Sequence, residues 1–400
     1  MTSRETWLRF RLPALVCGAL LVLGYARTAP GTLHTAPWGY RNWSFSALAY
    51  SDILALHEDR GGGQNAFPYF HDKIEYPVLM GLGIWWPSVL APNRLGYFAL
   101  TYALLSLCAL GVLFLLCAMP GTQPWAWAAS PALLVYVPLN WDSFGLLPLM
   151  LGIYLWSRGR TRWATLALGV AVWTKFFPVL VLSVLVLLAL RKSVRTALEM
   201  VALFLAVSLA VNLPFALPEI SRQNWAWFFE YNRSRDIEPS LYLLFGANAR
   251  TFAPMANLIS ASISLAAAAL IAAVELRTRR LDPLRVSCAL VCVFFAANKV
   301  FSPQYWLWVV ALLALAGAPG FLAAATGCMA LADFIVSFSF LHLQQSRGGA
   351  LTSWFNVEIF LPMVALRYAF LIGCALWAAA HSLPGPLEQS HSSQQSQPAV

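Results

Sequence analysis

The sequence predicts an all-α polytopic membrane protein with about 12 transmembrane helices of about 20 residues each. Hydrophobic residues make up 60% of the 400-residue chain and charged residues 11%, whereas a soluble domain carries about 25% charged residues. The apolar residues also come in long runs that are separated by short polar or basic stretches. No soluble core could bury so much apolar surface, so the composition excludes an ordinary soluble enzyme.

Twelve apolar runs are candidate spans. They begin near Leu12, Tyr97, Trp125, Phe144, Trp163, Val179, Thr196, Phe252, Val286, Tyr305, Phe321 and Trp354. The runs Trp125–Val137 and Phe144–Trp156 are barely long enough to cross a bilayer. A further short run, Pro77–Leu90, is predicted to lie in the membrane interface or to re-enter it.

Basic clusters assign the sides of the membrane. Arginines in the N-terminal segment and in the stretches 157–162, 191–195 and 275–285 fall on one side when crossings are counted from the N-terminus. Cytoplasmic loops carry an excess of Lys and Arg, so this side is predicted to be cytoplasmic. The count places both termini in the cytoplasm. It also divides the chain into a single membrane-embedded domain, 1–380, and a polar, disordered cytoplasmic tail, 381–400.

The opposite face receives longer segments of mixed charge. They are the first loop (26–96), the turns 140–142 and 174–178, the loop 215–250 and the turn 298–305. These segments are rich in aromatic residues, acids and isolated lysines. A pure scaffold has little need of that asymmetry, so the sequence predicts an extracytoplasmic functional site.

The net charge of +9 does not indicate a nucleic-acid partner, because the basic residues sit in short clusters between apolar runs. The seven cysteines lie within or beside apolar runs and are interpreted as small buried hydrophobes. Cys288 and Cys292 share a helical face, but no histidine or acid near them in sequence would complete a metal site. Neither a metal nor a cofactor is expected.

The first loop carries most of the candidate acids. Residues 43–60 are predicted to form an amphipathic surface helix that the glycines 61–63 end. Asp52 lies in that helix, and Glu75 precedes Tyr76 where the chain returns towards the bilayer. Placing a carboxylate without a partner or a function close to the bilayer costs free energy, so these two acids are functional candidates. The other acids of the loop are interpreted as solvated charges: Glu58, Asp59 and Asp72.

Lysine is rare in this chain, and two lysines stand out. Lys175 interrupts an apolar stretch and lies close to Pro178, and Lys299 lies in a turn between two apolar runs. An unpaired ammonium at membrane depth is expensive. Each lysine is therefore either paired with a nearby acid or available to an anionic ligand. Together with Arg233 and Arg235 they would suit a phosphate that is joined to a lipid.

Six short motifs follow one another along the chain. They are YSDI (50–53), EYPV (75–78), NWD (140–142), TKFFP (174–178), NRSRD (232–236) and NKVFSPQYWLW (298–308). In this order the set resembles the polyprenol-phosphate-sugar-dependent glycosyltransferases of the GT87 family. These are membrane enzymes of the GT-C type that include mannosyltransferases and arabinofuranosyltransferases. No motif after about residue 318 matches the family.

The resemblance implies a GT-C-like bundle whose long first extracytoplasmic loop contains amphipathic helices. It implies that Asp52 is the general base of an inverting single displacement. The donor would be a polyprenyl-phosphate sugar, mannose or arabinofuranose, and the acceptor a lipid or glycan, with membrane lipids around the protein. The residues expected to bind the donor or substrate are Glu75, Tyr76, Asn140, Asp142, Lys175, Arg233, Asp236, Lys299, Gln304 and Tyr305. A nucleotide-sugar donor is not expected, because the sequence has neither a dinucleotide-binding glycine motif nor a P-loop.

Two other functions stay open at this point. In a lipid or sugar transporter or flippase, Asp333 and Arg367 would line the path, although the same two residues could instead pair between the last two helices. The long acid-bearing first loop and the lack of an internal hydropathy repeat argue against a transporter. A non-catalytic assembly subunit is the other alternative. The residues that argue against it are Asp52, Glu75, Lys175 and Lys299.

Overall fold

The computed structural model describes residues 2–34, 38–57, 66–91, 93–246, 249–346 and 349–383. Its α-helices are α1 Ser3–Thr28, α2 Trp38–Ser46, α3 Asp52–Ala55, α4 Val78–Leu90, α5 Arg94–Ala118, α6 Pro124–Ala128, α7 Pro131–Tyr136, α8 Asp142–Ser157, α9 Thr161–Thr174, α10 Val179–Ala189, α11 Val194–Ala216, α12 Glu219–Ser234, α13 Ala249–Thr278, α14 Pro283–Ala297, α15 Tyr305–Leu315, α16 Gly320–Ser346, α17 Ala350–Phe355 and α18 Leu361–Ala380. Two 3-10 helices, Ala29–Leu33 and Leu241–Phe245, and a π-helical turn, Asn356–Phe360, complete the set. The described ranges contain no strand, which confirms an all-α membrane protein.

The helices fall into two length classes. Six apolar helical segments are long enough to cross a membrane: Ser3–Leu33, Arg94–Ala118, Val194–Ala216, Thr251–Thr278, Gly320–Ser346 and Ala350–Ala380. The others are much shorter. The predicted span Trp125–Val137 is two pieces, α6 and α7, because Pro131 starts a new helix with Ser130 as its N-cap. The count of about 12 spans stays a prediction, since an 11-residue helix such as α15 is only about 16 Å long.

Hydrogen bonds between turns define one end of the bundle. The Arg9 side chain donates to the carbonyl of Met119 at 3.0 Å, and the Gln123 amide donates to the carbonyl of Ala314 at 2.8 Å. Arg285 donates to the carbonyl of His381 at 2.6 Å. The start of α1, the arginine-bearing turns and the end of α18 therefore lie together. The residues of the candidate site lie at the opposite ends of these helices.

Helix α15 forms the centre of the bundle. Every residue from Trp306 to Leu315 is buried, as expected for a helix that is apolar on all sides. Its N-terminal end carries the turn 298–304, and that turn borders a cavity of about 890 Å³. The burial of α15 therefore fixes the position of one wall of the site.

The predicted surface helix over residues 43–60 is wrong for the part that the structure describes. Helix α2 ends at Ser46, and Leu48 takes a left-handed conformation with φ 49°. The Arg27 guanidinium donates to the Leu48 carbonyl and holds this turn. Ile53 in α3 is then fully buried rather than exposed on a membrane surface. The glycines 61–63, Glu58 and Asp59 lie outside the described residues, as does the tail from 384.

Helix α12 was not expected from the sequence, because residues 215–250 read as a loop. Of its residues only Ser221 is buried. Its aromatic face includes Phe228 and Phe229, which border the cavity. A helix with one aromatic and one charged face suits the surface of a membrane.

The two ends of the bundle can be assigned by labelling. In a variant without native cysteines, we expect a cysteine that replaces exposed His71 to react with an impermeant thiol reagent outside intact cells. A cysteine that replaces exposed Arg160 should react only after the membrane is opened, because Arg160 belongs to a basic turn. The reverse pattern would place the cavity on the cytoplasmic side.

Candidate active site

A cavity of about 890 Å³ opens at the end of the bundle opposite to the basic turns. It lies between the first loop, α12, the segment 235–239, the turn 298–304 and α16. The ionisable side chains that line it are Asp52, Glu75, Tyr50, Tyr76, Lys175, Tyr231, Arg235, Glu238, Lys299 and Tyr305. The structure therefore brings together residues from five separate stretches of the chain.

Asp52 is the first residue of the short helix α3. The turn before α8 holds this helix in place: Ser51 Oγ donates to the Pro138 carbonyl at 2.5 Å, and the Asp52 amide donates to the Leu139 carbonyl at 2.7 Å. The buried Tyr40 hydroxyl accepts from the Ser51 amide at 2.9 Å. A four-residue helix would not be stable alone, so these bonds fix its carboxylate at the cavity wall.

Asn140 orients the Asp52 carboxylate. Its Nδ2 donates to Asp52 Oδ2 at 2.6 Å and lies 3.1 Å from the Tyr76 hydroxyl. Asn140 is fully buried and does not line the cavity, so it touches Asp52 rather than the space that a substrate would fill. The expected donor-binding role of Asn140 stays a prediction, and the contact that the structure shows is the one to the Asp52 carboxylate.

The environment of Asp52 raises the pKa of its carboxyl. Burial is the largest cause, and the negative charge of Glu75 adds to it. Hydrogen bonds from Asn140 and Tyr50 and the charge of Lys175 act in the opposite direction without cancelling the effect. Asp52 lies in the first loop, outside the spanning helices. A carboxylate with a raised pKa is a better proton acceptor than an ordinary aspartate.

Lys175 is paired with Asp142. Its Nζ lies 2.6 Å from Asp142 Oδ1, and Asp142 is fully buried at the start of α8. The ammonium also lies over two rings, 5.4 Å from the Tyr76 centroid and 5.5 Å from the Tyr305 centroid. The salt bridge left open by the sequence is thus present. Lys175 nevertheless lines the cavity, whereas Asp142 does not.

Lys299 holds the end of α12. Its Nζ donates to the carbonyl of Arg235 at 2.5 Å and to that of Arg233 at 3.0 Å. Cations at a helix C-terminus are stabilising there because the last carbonyls lack helical partners. Burial, followed by the charge of Arg235, lowers the pKa of the Lys299 ammonium. Two of its donors are therefore committed to main-chain carbonyls.

Arg235 rather than Arg233 lies at the cavity. The Arg233 side chain is 75% exposed and is paired with Glu230 at 2.9 Å, and neither Arg233 nor Asp236 lines the cavity. Arg235 lines it and forms an ion pair with Glu238 at 2.5 Å. Helix α12 ends at Ser234, between the two arginines, and Lys299 binds the carbonyls on both sides of this end. The sequence did not indicate that the helix ends there.

Gln304 and Tyr305 lie where α15 begins, and both border the cavity. The Tyr305 ring stacks on Phe295 with centroids 4.7 Å apart. This stacking holds the Tyr305 ring where the Lys175 ammonium lies over it. Tyr76 completes the same wall and is in edge contact with Trp141 at 6.0 Å.

One side of the cavity is aromatic, which sequence reasoning missed. The phenylalanines that line it are Phe45, Phe176, Phe177, Phe228, Phe229, Phe294, Phe301, Phe338, Phe340 and Phe360. They come from helices and turns that are distant in sequence, and only Phe176, Phe177 and Phe301 lie in the six motifs. The amphipathic pattern of residues 219–234 is the one sequence feature that could have placed Phe228 and Phe229 here. The described residues contain no cluster of three or more metal-ligating side chains.

Comparison with known families gives one result for this chain. The sequence model of glycosyltransferase family 87 matches residues 75–303, which is more than half of the chain. The match includes Glu75, Lys175 and Lys299, and it begins after Asp52. Searches among curated proteins and among solved structures gave no match.

The Lys175–Asp142 pair can be tested by stability. We expect Lys175→Met to lower the free energy of unfolding by about 3–5 kcal/mol, because it leaves Asp142 buried and unpaired. The double variant Lys175→Met with Asp142→Leu removes both charges and should recover most of that loss. Thermal unfolding in detergent measures both. Equal stability of the wild type and the single variant would show that the pair is not formed.

Proposed function

Because this chain belongs to glycosyltransferase family 87, we propose that it transfers a sugar from a polyprenyl-phosphate donor to an extracytoplasmic acceptor. The observation that supports this most directly is the position of Asp52. Its carboxylate is held at the wall of a cavity that has cationic groups on one side and aromatic groups on another. A base, an anion-binding wall and an apolar wall are what such a donor and acceptor require.

The proposed reaction is a single displacement with inversion. The acceptor hydroxyl attacks the anomeric carbon, and its proton passes to the Asp52 carboxylate. The bond from the anomeric carbon to the phosphate oxygen breaks, and its electron pair leaves with the polyprenyl phosphate. A retaining double displacement would need a second carboxylate as the nucleophile. In this proposal Glu75 binds the acceptor instead.

The leaving phosphate needs positive charge rather than a proton. Lys175 and Arg235 both line the cavity and supply that charge. Their ion pairs with Asp142 and Glu238 hold them in place without using every donor: Arg235 bonds Glu238 through Nε and Nη2, and a guanidinium carries further N–H groups. Lys299 acts less directly, through the end of α12 that carries Arg235.

The aromatic side suits the lipid part of the donor. Phe229 on α12 and Leu341 on α16 line the cavity, and 40% and 37% of their surface is exposed. In this proposal the polyprenyl chain of the donor covers these apolar side chains. A polyprenyl chain could enter from the bilayer, whereas a nucleotide sugar would gain nothing from this side.

The donor sugar in this proposal is mannose or arabinofuranose, and the acceptor is a lipid or a glycan. The site faces the outside of a bacterial plasma membrane, and both termini lie in the cytoplasm. Residues 1–380 form one membrane-embedded domain. The positive-inside pattern of the basic turns supports this orientation.

A transporter is less well supported. Asp333 and Arg367, the residues that would line a path, are fully buried against each other and do not line the cavity. Sugar transfer by the purified protein in detergent separates an enzyme from a transporter and from a non-catalytic assembly subunit.

Transfer from labelled polyprenyl-phosphate sugars tests the base directly. Asp52→Asn keeps the size of the side chain and removes the proton acceptor, so transfer should fall by about 10²- to 10⁴-fold while the protein stays folded. Glu75→Gln is the matched control, because it neutralises the other acid of the first loop that lines the cavity, and its loss should be smaller. If Glu75→Gln abolishes transfer and Asp52→Asn retains it, the two roles are exchanged. If neither substitution matters, the proposed enzyme is wrong.

The pH profile gives a second test. Asp52 must be deprotonated to act, and its pKa is raised, so transfer should fall with decreasing pH at a higher pH than an ordinary aspartate would dictate. Glu75→Gln removes a negative charge and should move this acid limb to lower pH. Asn140→Ala removes a hydrogen bond to the carboxylate and should move it to higher pH. Shifts in the same direction for both variants would contradict Asp52 as the titrating group.

A further inference from the structure

The last two long helices carry a fully buried ion pair. Asp333 lies on α16 and Arg367 on α18, and neither side chain is exposed. Both lie after residue 303, where the family match ends, in the part of the chain without a recognisable motif. The proposed chemistry uses neither residue, so the pair needs another explanation.

The Arg367 guanidinium contacts three walls of the cavity. Its Nη1 donates to the carbonyl of Pro239 at 2.8 Å, and its Nη2 lies 3.4 Å from Ser337 Oγ. Its carbon lies 4.8 Å from the centroid of the Phe301 ring. Pro239, Ser337 and Phe301 all line the cavity, whereas Arg367 does not.

Asp333 fixes the guanidinium from the other side. Its Oδ1 accepts from Arg367, and its Oδ2 accepts from Trp306 Nε1 at 2.8 Å. Trp306 belongs to the buried helix α15. The guanidinium is thus tied to the most enclosed part of the bundle, and its bond to Pro239 transmits that rigidity to the segment 235–239.

The ion pair alone would not require these residue types. A buried ion pair can often be replaced by apolar residues without loss of stability. An apolar pair could not, however, donate a hydrogen bond to the Pro239 carbonyl. Since Arg235 and Glu238 lie in the segment that this bond holds, the position of the cationic wall depends on it.

We propose that Arg367 is a positioning residue that holds the segment 235–239, and with it Arg235, against the phosphate of the donor. The consequence for ligand binding rests on the function proposed above. The mechanical consequence, immobilisation of the segment, does not. Arg367 thereby gives α18 a role in a site whose lining residues come from residues 45–305, α16 and Phe360.

Two variants separate this role from a general effect on stability. Arg367→Lys keeps the charge opposite Asp333, but an ammonium lacks the planar fork that reaches Asp333 and Pro239 together. Arg367→Met with Asp333→Leu removes both charges, so that no lone buried charge remains. Arg9→Met is the control, because Arg9 also donates to main-chain carbonyls, at the opposite end of the bundle.

The first measurement is amide hydrogen exchange in detergent. In the wild type the Glu238 amide, which donates to the Lys299 carbonyl, should exchange slowly. Both Arg367 variants should speed exchange across residues 235–246 and leave α8 and α9 unchanged, and Arg9→Met should leave 235–246 unchanged. Fast exchange in the wild type, or unchanged exchange in the double variant, would overturn the proposal.

The second measurement is the Kd for decaprenyl phosphate, used without a sugar. Hydrogen bonds to charged groups contribute about 1.5–3 kcal/mol, so both variants should bind about tenfold or more weakly than the wild type, and Arg9→Met should bind as the wild type does. Equal binding by all variants would overturn the link between Arg367 and the phosphate. If the wild type itself does not bind the probe, the proposed donor is wrong, and the exchange measurement still decides whether Arg367 holds the segment.

Discussion

A charge that is buried in this bundle has to find a partner, and the arrangement of the site follows from that constraint. Removing an ion from water costs several kcal/mol even after relaxation. Lys175 meets Asp142, Arg367 meets Asp333, and Lys299 meets two main-chain carbonyls. The first pair joins the end of α9 to α8, the second joins α18 to α16, and Lys299 joins the turn 298–304 to the end of α12, more than 60 residues earlier in the sequence. The ion pairs and hydrogen bonds of these buried charges therefore fix the positions of the loops that line the cavity.

The hydropathy of the chain predicted more of the fold than of the site. Long apolar runs predicted α5, α11, α13 and α16, because a helix of such composition has no stable place in water. The pairing of Asp333 with Arg367 was also foreseeable, since two opposite charges within neighbouring apolar helices have few other solutions. The failures occurred where a distant residue decides the local structure. Helix α2 ends at Ser46, and the Arg27 guanidinium holds the following turn by donating to the Leu48 carbonyl. Nothing near Leu48 in the sequence indicates this contact.

The site shows the same division. Motif residues such as Asp52, Glu75 and Lys175 come together at one cavity. The sequence did not predict which residues hydrogen-bond or form ion pairs with these side chains. Those contacts depend on how the chain turns at the end of each helix. Of the two arginines named from the sequence, only Arg235 lines the cavity, and it lies just after the end of α12. The aromatic wall depends on packing among several helices, which a linear pattern does not encode.

The enclosure of α15 has a consequence for how the chain is assembled. Its eleven residues are too few to cross a hydrocarbon layer of about 30 Å, and nearly all of them touch protein rather than lipid. When such a segment leaves the ribosome, the bilayer alone offers it no stable transmembrane position. Its final position requires that α6, α7 and α14, which are made earlier, and α16, which is made later, surround it. The centre of the protein is therefore completed late in biosynthesis, and a chain cut off after Leu315 would lack the helix that closes over it.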